Sequence, residues 1–467
     1  MNLVENQFEN EKLLDELLGI NTSFDMGKRE LYLKEKRNLI YTNNFLVNTD
    51  LLIQIIQSLF YNEFDEKDTY FNNVYKYLST ISVSLTNKLE DIQTEVVKGL
   101  ACIIVSDCDT AIIIDIRNYP TRSLTEPDGE RVVRGSREGF TESIATNVAL
   151  VRRRVRTPNL KVVKFVIGNL SKTEIAVVYI ENLVNKNALD IAIKRINAIK
   201  VTELTMTDKA LEELLTTRPY SPYPVVRYTE RPDTLAVHLY QGLFGIIVDT
   251  SPSVMIAPTN LFDHFQAPEE YRQTSMCGTF LRLIRFFGII VSFMLVPLWL
   301  CYVNKGYFTN SFLNSVMNIN YSKPNILIQL ILSEFSIELV RMASIHTPDS
   351  LSTSMGLIVG IILGGIGVEL GIVSQTIVFL GALSAIGTYI TPSYELALVN
   401  KIIKLIFILV SYYFDIIGLL VMIGLIFIYL LSLKSFGESY LKPLIPFHPK
   451  QLIRQFIRSP YKNYDEE

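Results

Sequence analysis

The residues best suited to chemistry are three charged side chains inside a strongly apolar stretch of the chain. Glu334, Glu338 and Arg341 are spaced i, i+4 and i+7, so in a helix they share one face. A charge at the centre of a bilayer costs about 2.5–3.5 kcal/mol, so these carboxylates need a cation or water, and Glu338 could pair with Arg341. We expect the stripe either to line an ion path or subunit contact, or to belong to an amphipathic helix on the membrane surface. Glu369, which closes a glycine-rich run, is a further candidate near a membrane boundary.

The sequence offers no pattern that is typical of an enzyme. It has no Walker loop for a nucleotide and no GxSxG elbow for a serine nucleophile. The histidines stand alone, without the spacing of metal ligands: His238, His264, His346 and His448. We therefore expect no catalytic residues, no cofactor and no metal.

Glycines recur at every fourth position of one apolar run, at Gly356, Gly360 and Gly364. They lie inside the run rather than after a strand, so they do not indicate a dinucleotide-binding loop. Small residues at this spacing let membrane helices approach closely. We expect these glycines to serve helix packing.

The elements that carry these residues follow from where the hydrophobicity lies. In the chain 49% of residues are hydrophobic and 19% are charged, but charges are frequent only before about residue 285 and again after residue 433. About 20 apolar residues suffice for a helix that crosses a bilayer. Long charge-free runs cover residues 286–303, 351–368, 370–394 and 416–433, and interrupted apolar segments cover 325–343 and 396–414. We expect a transmembrane domain of four to six helices over residues 281–435, the alternative being core helices of a large soluble domain.

The distribution of charge predicts the orientation. The first residues are acidic and lack the apolar stretch of a signal peptide, so we expect residues 1–280 to stay in the cytoplasm. Arginines before the first run and a basic tail over residues 436–467 agree with the positive-inside rule. Both termini are then cytosolic, with an even number of crossings. We expect free thiols at all cysteines, Cys102, Cys108, Cys277 and Cys301. The net charge of −3 argues against a nucleic-acid partner.

The soluble half is predicted to be α+β, with two lobes ahead of the α-helical multi-span membrane domain. Residues 1–95 are acidic and have helical character, and residues 96–280 contain β-branched runs. Turn residues between such runs predict hairpins near 101–116 and 244–258. The septets at 99–105 and 242–248 resemble each other, which indicates either two related lobes or a chance likeness of two β-rich stretches.

A charged, glycine-punctuated loop lies between the hairpins. It contains Arg134, Gly135, Arg137, Glu138 and Gly139, and it precedes a predicted helix over residues 143–156 that ends in arginines. Such a loop at a helix start could bind an anion or a partner. The alternative is a network of arginines and glutamates that ties the lobes together.

The chain resembles the A subunits of the GerA family of bacterial spore germination proteins over nearly its whole length. The segments that carry the resemblance are 134–142, 152–156, 168–173, 229–233, 248–252 and 282–297. Further segments at 248–254, 267–273, 345–348 and 392–396 match an accessory branch of the family. In these motifs Arg231, Pro232, Asp249 and Pro252 join the residues of the charged loop as candidates for a role in assembly.

The resemblance implies a multi-pass protein of the inner spore membrane that acts in germination. Family A subunits are thought to assemble as pentameric ion channels, and accessory members look like channel components that amplify ion release beside a small membrane partner. We therefore expect an ion-conducting homo-oligomer in membrane lipid, and the pentamer is the form that the family suggests. The alternatives are a nutrient germinant receptor A subunit, a non-conducting scaffold for germination partners, and a secondary transporter.

Overall fold

The computed structural model describes residues 2–78, 80, 82–119, 130, 132, 134–305, 323–346, 361 and 365–458. These residues form two compact units. The N-terminal unit contains Met1–Pro219, Val225–Thr259 and Ser435–Glu438, and the C-terminal unit contains Tyr220–Pro224, Asn260–Lys434 and Ser439–Glu467. The first is α+β and the second is largely helical, in agreement with the predicted fold class.

The N-terminal unit begins with an antiparallel lobe of five strands. Its elements are α1 (Gln7–Leu18), β1 (Met26–Leu33), β2 (Lys36–Asn43), α2 (Thr49–Tyr61), α3 (Tyr70–Lys76), β3 (Val83–Thr86), α4 (Leu89–Val97), β4 (Ala101–Ile104) and β5 (Ala111–Ile114). The strand order in the sheet is β1-β2-β4-β5-β3. The last two strands form a hairpin, with Ala101 opposite Ile114.

The second lobe repeats this succession of elements. It contains α5 (Ile144–Arg154), β6 (Leu160–Ile167), β7 (Thr173–Ile180), α6 (Lys186–Ala198), α7 (Thr207–Leu215), β8 (Arg227–Thr229), α8 (Pro232–Tyr240), β9 (Phe244–Val248) and β10 (Val254–Ala257). The strand order, β6-β7-β9-β10-β8, is the same as in the first lobe, position by position. The two lobes therefore share one topology.

The matching septets lie at the same place in both lobes, where a helix turns into a central strand. Gly99 after α4 and Gly242 after α8 have φ values of 99° and 84°, which glycine adopts without steric cost. In each lobe the backbone N–H of the residue after this glycine donates to a carbonyl oxygen in the last turn of the helix. Leu100 N lies 3.1 Å from the Glu95 carbonyl oxygen, and Leu243 N lies 3.1 Å from that of His238. This common geometry favours related lobes over a chance likeness.

Each sheet is covered by helices on both faces, which explains why its central strands read as continuous apolar runs. In the first lobe Leu39, Cys102 and Ile113 pack with α1 and α4. Their strand neighbours, represented by Ile40 and Ile103, pack with α2 and α3 on the opposite face. In the second lobe α5 and α8 cover one face and α6 and α7 cover the other.

Residues 1–95, predicted as a helical and acidic region, contain the helices α1, α2 and α3, but β1, β2 and β3 also lie within them. The first two strands are rich in charge and lack the apolar alternation of a typical half-buried strand. Their charges are satisfied by partners distant in sequence: Lys28 Nζ lies 2.8 Å from Glu11 Oε1, and Arg37 Nη1 lies 2.8 Å from Glu11 Oε2. Only the fold brings these partners together.

The C-terminal unit contains the apolar helices. Two short 3₁₀ turns, Leu261–Phe265 and Pro268–Arg272, precede α9 (Ser275–Lys305), α10 (Lys323–His346), a helical turn at Gly367–Glu369, α11 (Gln375–Ile390), α12 (Tyr394–Ser432) and α13 (Pro449–Phe456). Between the last two helices lie the short strands β11 (Lys434–Ser435) and β12 (Glu438–Ser439), of which Ser435 and Glu438 belong to the N-terminal unit. Among the described residues two helices are long and apolar enough to cross a membrane, Ser275–Asn304 and Tyr394–Ser432. The four to six crossings expected from the sequence stay a prediction.

The helix α12 is a hairpin of two helices rather than one straight rod. Asp415 leaves the helical region at φ 52° and ψ −148°. A Cβ built on Gly418 would lie 2.9 Å from Val410 Cγ1, although eight residues of straight helix span about 12 Å. The chain therefore reverses at Asp415, between the two apolar segments predicted at 396–414 and 416–433.

The other predicted membrane segments agree with the helices of the structure to different extents. The segment 325–343 lies in α10, whereas the run 370–394 contains a helix of only 16 residues, α11. Ser374 caps the start of α11 and Thr391 follows its end, so the helix is shorter than the charge-free run that predicted it. Gly356, Gly360 and Gly364 lie outside the described residues, as does most of the run 351–368.

Candidate functional site

Five charged side chains meet between two apolar helices of the C-terminal unit. Glu334, Glu338 and Arg341 come from α10, and Lys401 and Lys404 come from α12. We call these five residues the charge cluster. The two carboxylates are spaced i, i+4 on α10 and the two lysines are spaced i, i+3 on α12, so each pair lies on one face of its helix. These two faces meet.

The innermost pair of the charge cluster is Glu334 with Lys404. Lys404 is 3% exposed and Glu334 is 11% exposed, and Lys404 Nζ lies 2.5 Å from Glu334 Oε2. The same ammonium group donates to Ser384 Oγ at 2.9 Å. Ser384 Oγ in turn donates to the carbonyl oxygen of Ser292 at 2.6 Å. A polar chain thus runs from α10 through α12 and α11 to α9.

The outer part of the charge cluster is centred on Glu338. Arg341 Nε donates to Glu338 Oε1 at 3.0 Å, and Lys401 Nζ contacts Glu338 Oε2. Arg341 Nη1 also donates to the Tyr394 hydroxyl at 3.1 Å, with the guanidinium 5.4 Å above that ring. Glu338 therefore keeps one cation if the other is removed.

Both carboxylates of the charge cluster are compensated, since three cations face two anions. The pairing expected between Glu338 and Arg341 is present, but the sequence reasoning missed both lysines as partners. The signal was available: Lys401 and Lys404 were the only charges interrupting the apolar segment 396–414. Glu369 is exposed at the end of the turn Gly367–Glu369, and the contacts described for the charge cluster do not include it.

The charged, glycine-punctuated loop of the N-terminal unit is held by one buried arginine. Arg231 is fully buried and donates to the carbonyl oxygens of Glu130 at 3.1 Å and Ser136 at 2.8 Å. It also pairs with Asp233 at 3.0 Å. Pro232 occupies the start of α8, where a missing N–H is tolerated. Arg231 thus fastens the loop to the start of α8.

The loop contacts the C-terminal end of α5, and the turn between β9 and β10 contacts the start of that helix. Glu138 lies 3.0 Å from Arg153 and 2.6 Å from Arg154 at the C-terminal end of the helix. At the other end Asp249 Oδ1 accepts from the backbone N–H of Ile144 at 3.1 Å. The remaining residues predicted here divide by exposure: Arg134, Gly135 and Arg137 are exposed, Pro252 is half-buried and Gly139 is buried.

The ion pair that joins the lobes involves a different arginine. Arg152 of α5 is 1% exposed and pairs with Asp25 of the first lobe, which is 0% exposed, at 2.8 Å. Arg152 Nη2 also donates to Ser23 Oγ at 3.4 Å. The predicted arginine network is therefore of two kinds, one within the second lobe through Glu138 and one between lobes through Asp25.

A buried histidine lies beside an arginine in the second lobe. Burial and the nearby Arg227 guanidinium lower the pKa of His238 to about 3. Its Nε2 lies 3.4 Å from Arg227 Nη1, so the neutral imidazole is the form that suits this position. Within the described residues, no three or more His, Cys, Asp or Glu side chains are grouped so as to hold a metal ion.

Comparison with known proteins gives matches over most of the chain. The family model described as "Bacillus/Clostridium GerA spore germination protein" matches residues 12–467. Stage V sporulation protein AF of Bacillus subtilis (strain 168) is 40% identical over 457 residues, covering 97% of this chain and 92% of that protein. Spore germination protein KA of the same organism is 28% identical, covering 95% of this chain and 82% of that protein.

A further relative and a solved structure are also similar to this chain. Spore germination protein GerLA of Bacillus cereus is 29% identical, covering 87% of this chain and 83% of that protein. The crystal structure of the N-terminal domain of the A subunit of the Bacillus megaterium spore germinant receptor GerK3 is 25% identical. It covers 55% of this chain and 96% of that chain, with a TM-score of 0.43.

Proposed function

Because this chain belongs to the GerA family of spore germination proteins, we propose that it is a subunit of an oligomeric ion channel that promotes or amplifies ion release during germination. The family membership confirms the resemblance predicted from the sequence motifs. In the proposal the protein lies in the inner spore membrane, with both termini on the core side. A small membrane protein assists it.

The charge cluster is the observation that supports conduction. Ionisable residues inside apolar membrane helices are costly, and they are typical of ion and proton paths. Here Lys401 and Lys404 lie before the reversal at Asp415, within the stretch Tyr394–Ser432 that is long and apolar enough to cross a membrane. Its partner helix α10 contributes both carboxylates. These charges are the strongest candidates to contact a permeating ion.

The paired state of the charge cluster corresponds, in this proposal, to a closed channel. Glu334 and Glu338 are neutralised by cations, so neither offers an unpaired carboxylate to an ion. Separating one buried pair costs about 3–5 kcal/mol when the remaining charge finds no new partner. Assembly or a gating signal would supply that free energy, and the released carboxylates and amines would then line the path.

A non-conducting scaffold is the second candidate, because the same complete pairing would suit a sealed helix bundle. An image of the detergent-solubilised particle viewed down its axis, combined with ion efflux from vesicles that contain the purified protein, separates the two functions. A ring with a central pore and measurable efflux supports the channel. A sealed particle, or a folded oligomer without efflux under any stimulus, would leave the scaffold.

A further inference from the structure

We propose that the C-terminal helix α13 is a membrane anchor that binds anionic phospholipid at the core-side surface of the bilayer. The inference rests on the proposed placement of α9 in the membrane. The segment over residues 442–458 contains four basic residues and no acidic residue: Lys442, Lys450, Arg454 and Arg458. Such a group of lysines and arginines beside a membrane helix attracts anionic lipid headgroups.

The helix α13 is fixed against the first turns of α9. Arg282 Nη1 donates to the carbonyl oxygens of Arg454 at 2.7 Å and Gln455 at 3.1 Å, in the last turn of α13. The Phe456 ring packs 4.6 Å from the ring of Phe286. Beyond the helix Arg458 Nη2 donates to the Tyr271 carbonyl oxygen at 2.8 Å. These contacts give α13 a defined height along α9.

That height coincides with the start of the apolar part of α9. Arg285 is the last charged residue before the charge-free run that begins at Phe286. The Arg282 side chain is buried and its Nε donates to Glu270 Oε2 at 2.7 Å, so Arg282 cannot move away without losing that pair. A helix held at this level lies at the headgroup region if α9 crosses the bilayer.

The free side of α13 carries the side chains that an interfacial helix needs. Ile453 and Ile457 are more than half exposed, and so is Phe447 just before the helix. Large apolar side chains next to basic ones insert at the boundary between headgroups and acyl chains. A second protein could cover an apolar face, but the excess of positive charge in this segment favours an anionic lipid surface.

Fluorescence quenching by lipids in the full-length reconstituted protein tests this proposal. A single cysteine is introduced by Ile453→Cys in a Cys108→Ser, Cys277→Ser background and carries an environment-sensitive dye. Vesicles of phosphatidylcholine with brominated acyl chains, with or without about one-third phosphatidylglycerol, provide the quencher. We expect at least about twofold stronger quenching with phosphatidylglycerol, and loss of that difference in Lys442→Gln, Lys450→Gln.

Dyes at two control positions distinguish the membrane anchoring of α13 from the placement of α9 in the membrane. A dye at Leu298→Cys, partly exposed on α9, should be quenched in both kinds of vesicle, and one at the exposed Leu170→Cys of the second lobe in neither. Quenching at position 298 but not at 453 would overturn the anchor and leave the proposed function intact. Equal quenching at 453 with and without phosphatidylglycerol would overturn the preference for anionic lipid. An absence of quenching at position 298 would contradict the placement of α9 in the membrane, on which both the anchor and the proposed function depend.

Discussion

Replacing Lys404 by methionine should destabilise the protein strongly, because it leaves a buried carboxylate without its cation. Methionine has a similar length and no charge, so packing changes little. Glu334, at 11% exposure, would lose the ammonium group that lies 2.5 Å from its Oε2, and Ser384 Oγ would lose the donor at 2.9 Å. Breaking one side of a buried ion pair costs about 3–5 kcal/mol, and we expect this range for Lys404→Met.

Lys401→Met is the matched control on the same helix. Lys401 is 20% exposed and its partner Glu338 retains Arg341, so the lost attraction is screened by solvent and partly replaced. Exposed or partly exposed pairs contribute about 0–1 kcal/mol. The free energies of unfolding are compared by titrating the purified full-length protein in mixed micelles with sodium dodecyl sulfate.

The single variant Glu334→Gln and the double variant Glu334→Gln, Lys404→Met complete the double-mutant cycle. Removing both charges eliminates the uncompensated carboxylate, so most of the loss in Lys404→Met should be recovered, with a coupling free energy of about 2–3 kcal/mol. Equal losses in Lys404→Met and Lys401→Met would refute the reasoning. So would a double variant that is no more stable than Lys404→Met.

Three further predictions concern other parts of the chain. Arg152→Met should cost about 3–5 kcal/mol by leaving Asp25 buried and unpaired, measured by thermal unfolding, and Arg156→Met, on an exposed side chain, should cost less than about 1 kcal/mol. The pKa of His238 is lowered to about 3, so between about pH 6.5 and 3 only the unfolded chain binds the proton. As the pH is lowered through that window, the free energy of unfolding should fall by up to about 1.4 kcal/mol per pH unit. His238→Gln should flatten this pH dependence in denaturant titrations. Asp415→Gly should stabilise the α12 hairpin by about 1 kcal/mol in micelle titrations, because φ is 52° there, whereas a loss of stability would show that the aspartate side chain matters more than the turn.

The parts of the fold that the sequence predicted are those with a local signal. Continuous β-branched runs predicted strands that are buried on both faces, and the likeness of the septets at 99–105 and 242–248 predicted two related lobes, in which the first glycine of each septet has a positive φ. Asp415 is a single charge between two apolar runs, and the chain reverses there. Each of these features can be read from a few neighbouring residues.

The parts that the sequence missed depend on contacts between distant residues. The strands β1 and β2 are polar, and they are stable because Lys28 and Arg37 reach the carboxylates of α1. Likewise the sequence offered Arg341 as a partner for Glu338 but no cation for Glu334, whereas in the structure α12 places Lys404 and Lys401 opposite Glu334 and Glu338. Spacing showed that each pair shares a face, but not that the two faces meet.

The reversal potential of the reconstituted protein in a potassium chloride gradient tests most directly whether an ion path passes the charge cluster. Glu338→Gln makes the cluster more positive and Lys401→Gln makes it more negative, so the two variants should shift the reversal potential in opposite directions, towards anion and cation selectivity respectively. Channels whose reversal potential is the same in both variants and the wild type, or folded protein that never conducts, would contradict the account.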